Sequence, residues 1–305
     1  MRPIRGIVFK LISVTLFIVM SSLVKSLSDS IPPGETVFFR SLFAIPVILA
    51  WLAFRGELRT GLKVSKPLGH LWRGMVGTMA MGMGFAALAF LPLPEVTAIG
   101  YAAPLLVVIF ASMFLGEEVR LFRLTAVFAG LAGVMIVLSP RLTLGSDVGT
   151  AEALGAMFAL TGAVCAALAQ VTVRRLVMTE ETSAIVFWFS ITATGLALFT
   201  LPFGWALPTP AEAGILILTG LIGGVGQIFL TSSYREADAS LIAPFDYASM
   251  LLALAIGYWV FGEVPTGTML IGAAIVVSAG ILIIWRERQL GLERAKQRKA
   301  MTPQG

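Results

Sequence analysis

The chain has 305 residues, 57% of them hydrophobic and 13% charged, with 31 glycines, a mean hydropathy of +0.91 and a formal charge of +5. A soluble domain carries about twice that share of charged residues, so this composition excludes one and places the chain in lipid. Cys165 is the sole cysteine and His70 the sole histidine, which rules out an intrachain disulfide, a Cys/His metal cluster and a histidine-based triad; no cofactor is implied.

Arg2, Arg5 and Lys10 lead into an apolar run from Ile7 to Leu27. The run exceeds a signal-peptide core of about 7 to 15 residues and no small-x-small cleavage site follows it, so a first spanning helix is predicted. Nine further apolar segments follow at about 34–54, 70–90, 95–115, 121–139, 151–171, 183–203, 211–231, 239–261 and 267–285. Each is about 20 residues, enough to cross a bilayer of roughly 30 Å at about 1.5 Å per residue. Pro and Gly mark the joins, as at Pro32-Pro33-Gly34, Pro92-Leu93-Pro94 and Pro208-Thr209-Pro210. His70 falls in a basic loop on this reading, and the polar stretch after Trp285 is expected to be partly disordered.

The segment EVTAIGYAAPLLVVIFASMFLGE at 95–117 returns as LIAPFDYASMLLALAIGYWVFGE at 241–263. A shift of 146 lays Tyr101 on Tyr247, Gly116 on Gly262 and Glu117 on Glu263, and a one-residue slip then pairs Gly133 with Gly280. The fold class expected is therefore all-α integral membrane, ten transmembrane helices as two inverted five-helix repeats. The halves are 1–140 and 141–285, with a basic tail at 286–305. With the N-terminus inside, 19 of the 22 Lys and Arg fall on the cytoplasmic side, and only Lys25 and Arg141 fall outside, with Arg40 inside the second helix. Both termini are thus expected in the cytoplasm. Five passes per half make the repeat inverted, as in carriers whose site lies between the halves. The basic balance is a topology signal and calls for no nucleic-acid partner.

Candidate site residues are the polar groups that lipid should exclude. Arg40, about seven residues into the second helix, needs a counter-charge, for which Glu35, Glu95 and Glu263 are candidates; a structural clamp and a substrate or gating contact both fit. Gln227, Thr231 and Tyr234, spaced i, i+4, i+7, make a polar stripe on the eighth helix below Gly220 and Gly223. It would line a cavity or hydrogen-bond another helix. Gly74, Gly77, Met81 and Gly84 form the corresponding face of the third helix. Tyr101 and Tyr247 lie too deep for an interfacial belt and could stack on a flat solute. Asp246 would carry a coupling proton or pair with Arg235. The expected partners are a small-molecule solute and the lipid bilayer; monomer and homodimer both stay open.

The run PPGETVFFRSLFAIP, the ending FLGEEV and the second-half stretch APFDYASMLLALAIGYWVFGEVPTGTMLIGAAIVVSAGILI resemble the two EamA-type halves of the drug/metabolite transporter superfamily, over nearly the whole chain. The resemblance implies a secondary carrier of the bacterial inner membrane, with a central cavity lined mainly by the third, fourth, eighth and ninth helices. It also implies that the arginine in the FFR position, Arg40, has a role shared across the family. Substrates of such carriers include exported amino acids, drugs and siderophore-like metabolites and imported vitamins. The texture of RGIVFKLISVTLFIVMSSLVK resembles riboflavin carriers, which gives a leaning towards vitamin uptake over metabolite export or a non-transporting scaffold.

Overall fold

The computed structural model describes residues 3–58, 60–115, 121–141, 147–237 and 242–301, and among them the chain is helical with no strand. The helices are α1 (Pro3–Leu27), α2 (Pro33–Arg55), α3 (Pro67–Phe90), α4 (Leu93–Gly100), α5 (Ala102–Leu115), α6 (Leu121–Leu138), α7 (Asp147–Leu176), α8 (Thr182–Leu198), α9 (Pro210–Glu236), α10 (Ala248–Phe261) and α11 (Gly267–Met301). Six spans are long and apolar enough to cross a membrane, one of them the continuous stretch Leu93–Phe114 made by α4 and α5, and four shorter apolar helices complete ten passes.

Proline opens α2, α3, α4 and α9, where its missing N–H costs nothing. A capping box of Thr209 and Glu212 starts α9. Gly56 and Gly262 close α2 and α10 at φ of 68° and 65°, a backbone that suits glycine. The fourth and ninth passes are broken at matched places. Tyr101 separates α4 from α5, and a 3-10 turn, Ala243–Tyr247, precedes α10.

The packing repeats with the sequence. α1 lies along α9 and α3 lies along α7; α2 contacts α9 as α8 contacts α3; and α2 with α8, α4 with α10 and α6 with α11 pair a helix with its own counterpart. Two carboxylates tie the halves reciprocally. Glu35, at the start of α2, accepts from the Ala206 N–H in the loop before α9 (2.9 Å). Glu180, just before α8, accepts from Ser65 and Lys66 in the loop before α3 (3.0 and 2.8 Å).

Three expectations change. His70 and Arg73 lie in α3, not in a loop, because the helix starts at Pro67; they are 4% and 5% exposed. Lys10 is also buried, inside α1, so it is a core residue as well as a positive charge. The tail continues α11 to Met301: RERQLGLERAKQRKA is built from strong helix formers, so the helix outlasts its apolar part. Gly116 and Glu117 lie outside the described residues.

Candidate substrate site

The two breaks meet. The rings of Tyr101 and Tyr247 pack edge to face, 5.0 Å between centroids at 71°, and are 5% and 7% exposed. A broken helix leaves carbonyls that lipid cannot solvate. Ser249 Oγ donates to the Asp246 carbonyl (2.5 Å), and the Tyr101 hydroxyl, 2.6 Å from that Oγ, lies 3.4 Å from the carbonyls of Asp246 and Tyr247. Gly280 of α11 makes room for the other ring: a Cβ there would run into the Tyr247 hydroxyl.

Two lysines of one helix form ion pairs, one beside this centre and one where α4 begins and α10 ends. Lys10 Nζ binds Asp246 Oδ1 at 2.7 Å and lies 5.3 Å from the Tyr234 ring. Lys25 Nζ, 15 residues further along α1 and so roughly 22 Å away, binds Glu263 Oε1 at 2.9 Å and donates to the carbonyls of Leu88 and Leu91 (3.3 and 2.8 Å). Glu263 Oε2 accepts from the Leu93 N–H (3.0 Å), so that end gathers α1, α3, α4 and α10 at one lysine. Asp246 therefore pairs with Lys10 and not with Arg235, which is occupied by Glu181 and the Glu180 carbonyl.

The structure brings Tyr101, Tyr247, Asp246 and, through Lys10, Tyr234 into one group. Gln227 and Thr231 make no side-chain bond to this group among the described residues. They follow Gly223 by one and two turns on the face of α9 where Gly223 meets Arg40 of α2, and both are buried. The Thr231 hydroxyl has no hydrogen-bond partner among the described residues. The glycine faces of α3 and α9 pack closely at Gly74, which abuts Thr192, and at Gly220, which abuts Phe43, while a Cβ on Gly84 would meet open space.

Arg40 overturns the expectation of a carboxylate partner. It is 2% exposed, Nη2 donates to the Gly223 carbonyl at 3.3 Å, and Nε and Nη1 have no acceptor among the described residues. Glu35 and Glu263 are engaged as described above.

Lys10, Lys25 and Gly280 were missed as site residues. The lysines counted in the sequence only as topology charges, and their signal was position: Lys25 stands at the end of α1 away from most of the positive charge. Among the described residues no three His, Cys, Asp or Glu side chains converge to hold a metal. Two grooves lie away from the tyrosines. One, of about 540 Å³, is edged by Arg5, Glu57, Glu181 and Arg235; the other, about 440 Å³, by Lys66, Trp72, Phe114 and Arg175.

The family model described as the EamA-like transporter family matches residues 4–139 and 153–285. The chain is 29% identical to the pseudopaline exporter CntI of Pseudomonas aeruginosa over 91% of this chain and 95% of that protein. It is 30% identical to a riboflavin transporter of Rhizobium johnstonii (84% and 82% covered) and 25% identical to an S-adenosylmethionine uptake transporter of Rickettsia bellii (87% and 88%). A solved crystal structure 21% identical to it superposes with a TM-score of 0.67 over 93% of this chain and 98% of the other, which shows the shared fold.

Proposed function

Because the chain belongs to the EamA-like transporter family and is accordingly a metabolite transporter of multi-pass membrane type, we propose that it is a secondary carrier that moves a small, flat organic solute by alternating access. The solute class favoured is a riboflavin-like vitamin, moved inward across the bacterial inner membrane, with both chain termini in the cytoplasm. One observation carries this reading: repeat-matched tyrosines meet at two helix breaks, and a single helix forms ion pairs beside that centre and where α4 begins and α10 ends. Opening one ion pair while the other holds would expose the tyrosines to one side at a time.

In this reading Tyr101 and Tyr247 supply aromatic contact, and Tyr234 contributes at the Lys10 end. Gln227 and the partnerless Thr231 hydroxyl offer orienting hydrogen bonds from α9. The riboflavin transporters of Rhizobium johnstonii and Vibrio cholerae among its relatives support the vitamin class. The exporter CntI, equally similar, favours a second reading in which the same cycle runs outward on an amino-acid-like metabolite.

Counterflow tests both. Proteoliposomes holding only this protein and preloaded with unlabelled riboflavin should accumulate labelled riboflavin, and Tyr101→Ala or Tyr247→Ala should abolish the exchange without lowering the protein content. Riboflavin that fails to exchange, while S-adenosylmethionine or an amino acid does, would replace the solute class; no counterflow of any of these would remove the vitamin and exporter readings together.

A further inference from the structure

A second buried cation stands beside Arg40. Arg73 of α3 is 5% exposed, with Nε and Nη1 lacking a hydrogen-bond acceptor among the described residues. Both guanidiniums lie on the ring of Phe189 in α8, with Cζ 4.0 Å from its centroid for Arg73 and 5.6 Å for Arg40. Among the described residues neither forms an ion pair, although five other Lys and Arg side chains there do. Glu180, which reaches α3 at His70, three residues before Arg73, is taken by His70 at 3.6 Å and by two backbone N–H groups.

The backbone is cut back to hold the pair. A Cβ on Gly77 would collide with Arg73 and with Phe189 (2.9 Å), and one on Gly223 would come within 2.8 Å of Arg40 Nε. Gly77 and Gly223 are matched by the same shift of 146 that pairs the tyrosines. The ring is matched too. Val37-Phe38-Phe39-Arg40-Ser41 and Val186-Phe187-Trp188-Phe189-Ser190 align at a shift of 149, so Phe189 is the counterpart of Arg40. The cluster thus sits where the halves face each other, and Gly77 and Gly223, ten and thirteen residues into their helices, set it near mid-membrane.

Two like charges with free donors in a poor solvent call for an anion, and guanidinium forks match an oxyanion's geometry. Phe189 stacks against both cations through its ring, a contact that uses no N–H, so Nε and Nη1 of each remain without an acceptor among the described residues. We propose that the junction of α2, α3, α8 and α9 is an oxyanion site, distinct from the tyrosine pair, in which Arg40 and Arg73 bind a carboxylate or phosphate group. The group comes from a soluble anion or from the headgroup of an acidic phospholipid.

The test uses the full chain, delipidated in a neutral detergent. Melting is followed with sodium phosphate or sodium acetate against sodium chloride of equal ionic strength, and with phosphatidylglycerol against phosphatidylcholine. The wild type should show a saturable rise in Tm with a soluble oxyanion or with phosphatidylglycerol. Arg73→Gln and Arg40→Gln should weaken the apparent affinity roughly tenfold or more, while Arg5→Gln, which removes an exposed arginine, should not. A response to the soluble anions assigns a soluble ligand. A response to phosphatidylglycerol alone, with that lipid retained in the native mass spectrum, assigns a headgroup. No saturable response in the wild type to either overturns the site even if the variants fail to fold, as does equal loss in Arg5→Gln. The readout involves no flux, so this site and the carrier reading stand or fall separately.

Discussion

Replacing Lys25 by Met should loosen one end of the molecule and leave the other closed. Lys25 and Glu263 have side chains only 15% exposed, and the lysine satisfies the carbonyls of Leu88 and Leu91 besides. Removing one partner of such a pair costs about 3 to 5 kcal/mol, since the remaining charge is stranded. The stranded group, Glu263, keeps only the Leu93 N–H, and an open end would return it to water. If the lower figure of about 3 kcal/mol biases opening, the open population rises roughly 150-fold at about 1.4 kcal/mol per decade. The assay is a cysteine at Ala98, fully buried in α4 just past this end, in a Cys165→Ser background. Its labelling by a membrane-impermeant maleimide should accelerate by one to two orders of magnitude in Lys25→Met. Lys25→Met combined with Glu263→Leu, which removes both charges, should bring the rate most of the way back. An unchanged rate in Lys25→Met at wild-type protein abundance would refute the idea that this pair closes the centre.

Gly280→Ala should disable transport by way of Tyr247, because its methyl displaces the Tyr247 hydroxyl; an overpacking cost of about 1 to 3 kcal/mol is expected in the thermal unfolding of purified protein. Tyr101→Phe should lose the bond to Ser249 and the longer contacts with the Asp246 and Tyr247 carbonyls, about 0.5 to 1.5 kcal/mol, and keep solute affinity within about tenfold, whereas Tyr101→Ala should not, as counterflow will read directly. Thr209→Ala removes the cap of α9 and should lower stability by about 1 kcal/mol, measured by the same unfolding. Reporter fusions after Gln289 and Thr209 should report opposite sides of the membrane, cytoplasmic for Gln289; agreement between the two would break the ten-pass topology.

The architecture was legible because lipid imposes it: apolar length gives the passes and the 146-residue echo gives the symmetry. Tyr101 and Tyr247 were visible for the same reason, as polar rings repeated at one register. The lysines were not, since a lysine before an apolar run reads as a topology charge whether it faces water or, as Lys10 does, a carboxylate on another helix. The match of Phe189 to Arg40 was hidden twice over, by a register offset three residues from that of the tyrosines and by unlike side chains. Which carboxylate meets which cation depends on helix rotation, and spacing along the chain does not report it; so Asp246 was offered Arg235 and took Lys10, and Arg40 was offered three acids and took none.

The reciprocal grip of Glu35 and Glu180 bears on how the protein is made. Glu35 emerges early, yet the N–H that donates to it belongs to Ala206, and the long flanks of α1 and α3 rest on α9 and α7. Through the first 140 or so residues the ribosome delivers helices whose main neighbours do not yet exist. The nascent first half must therefore wait in the membrane as loosely associated helices, exposed to quality control, and assembly becomes cooperative only as α7 to α9 insert among them. A chain severed in the 142–146 connection should accordingly yield no stable fragment alone, and active protein only when both fragments are synthesised together.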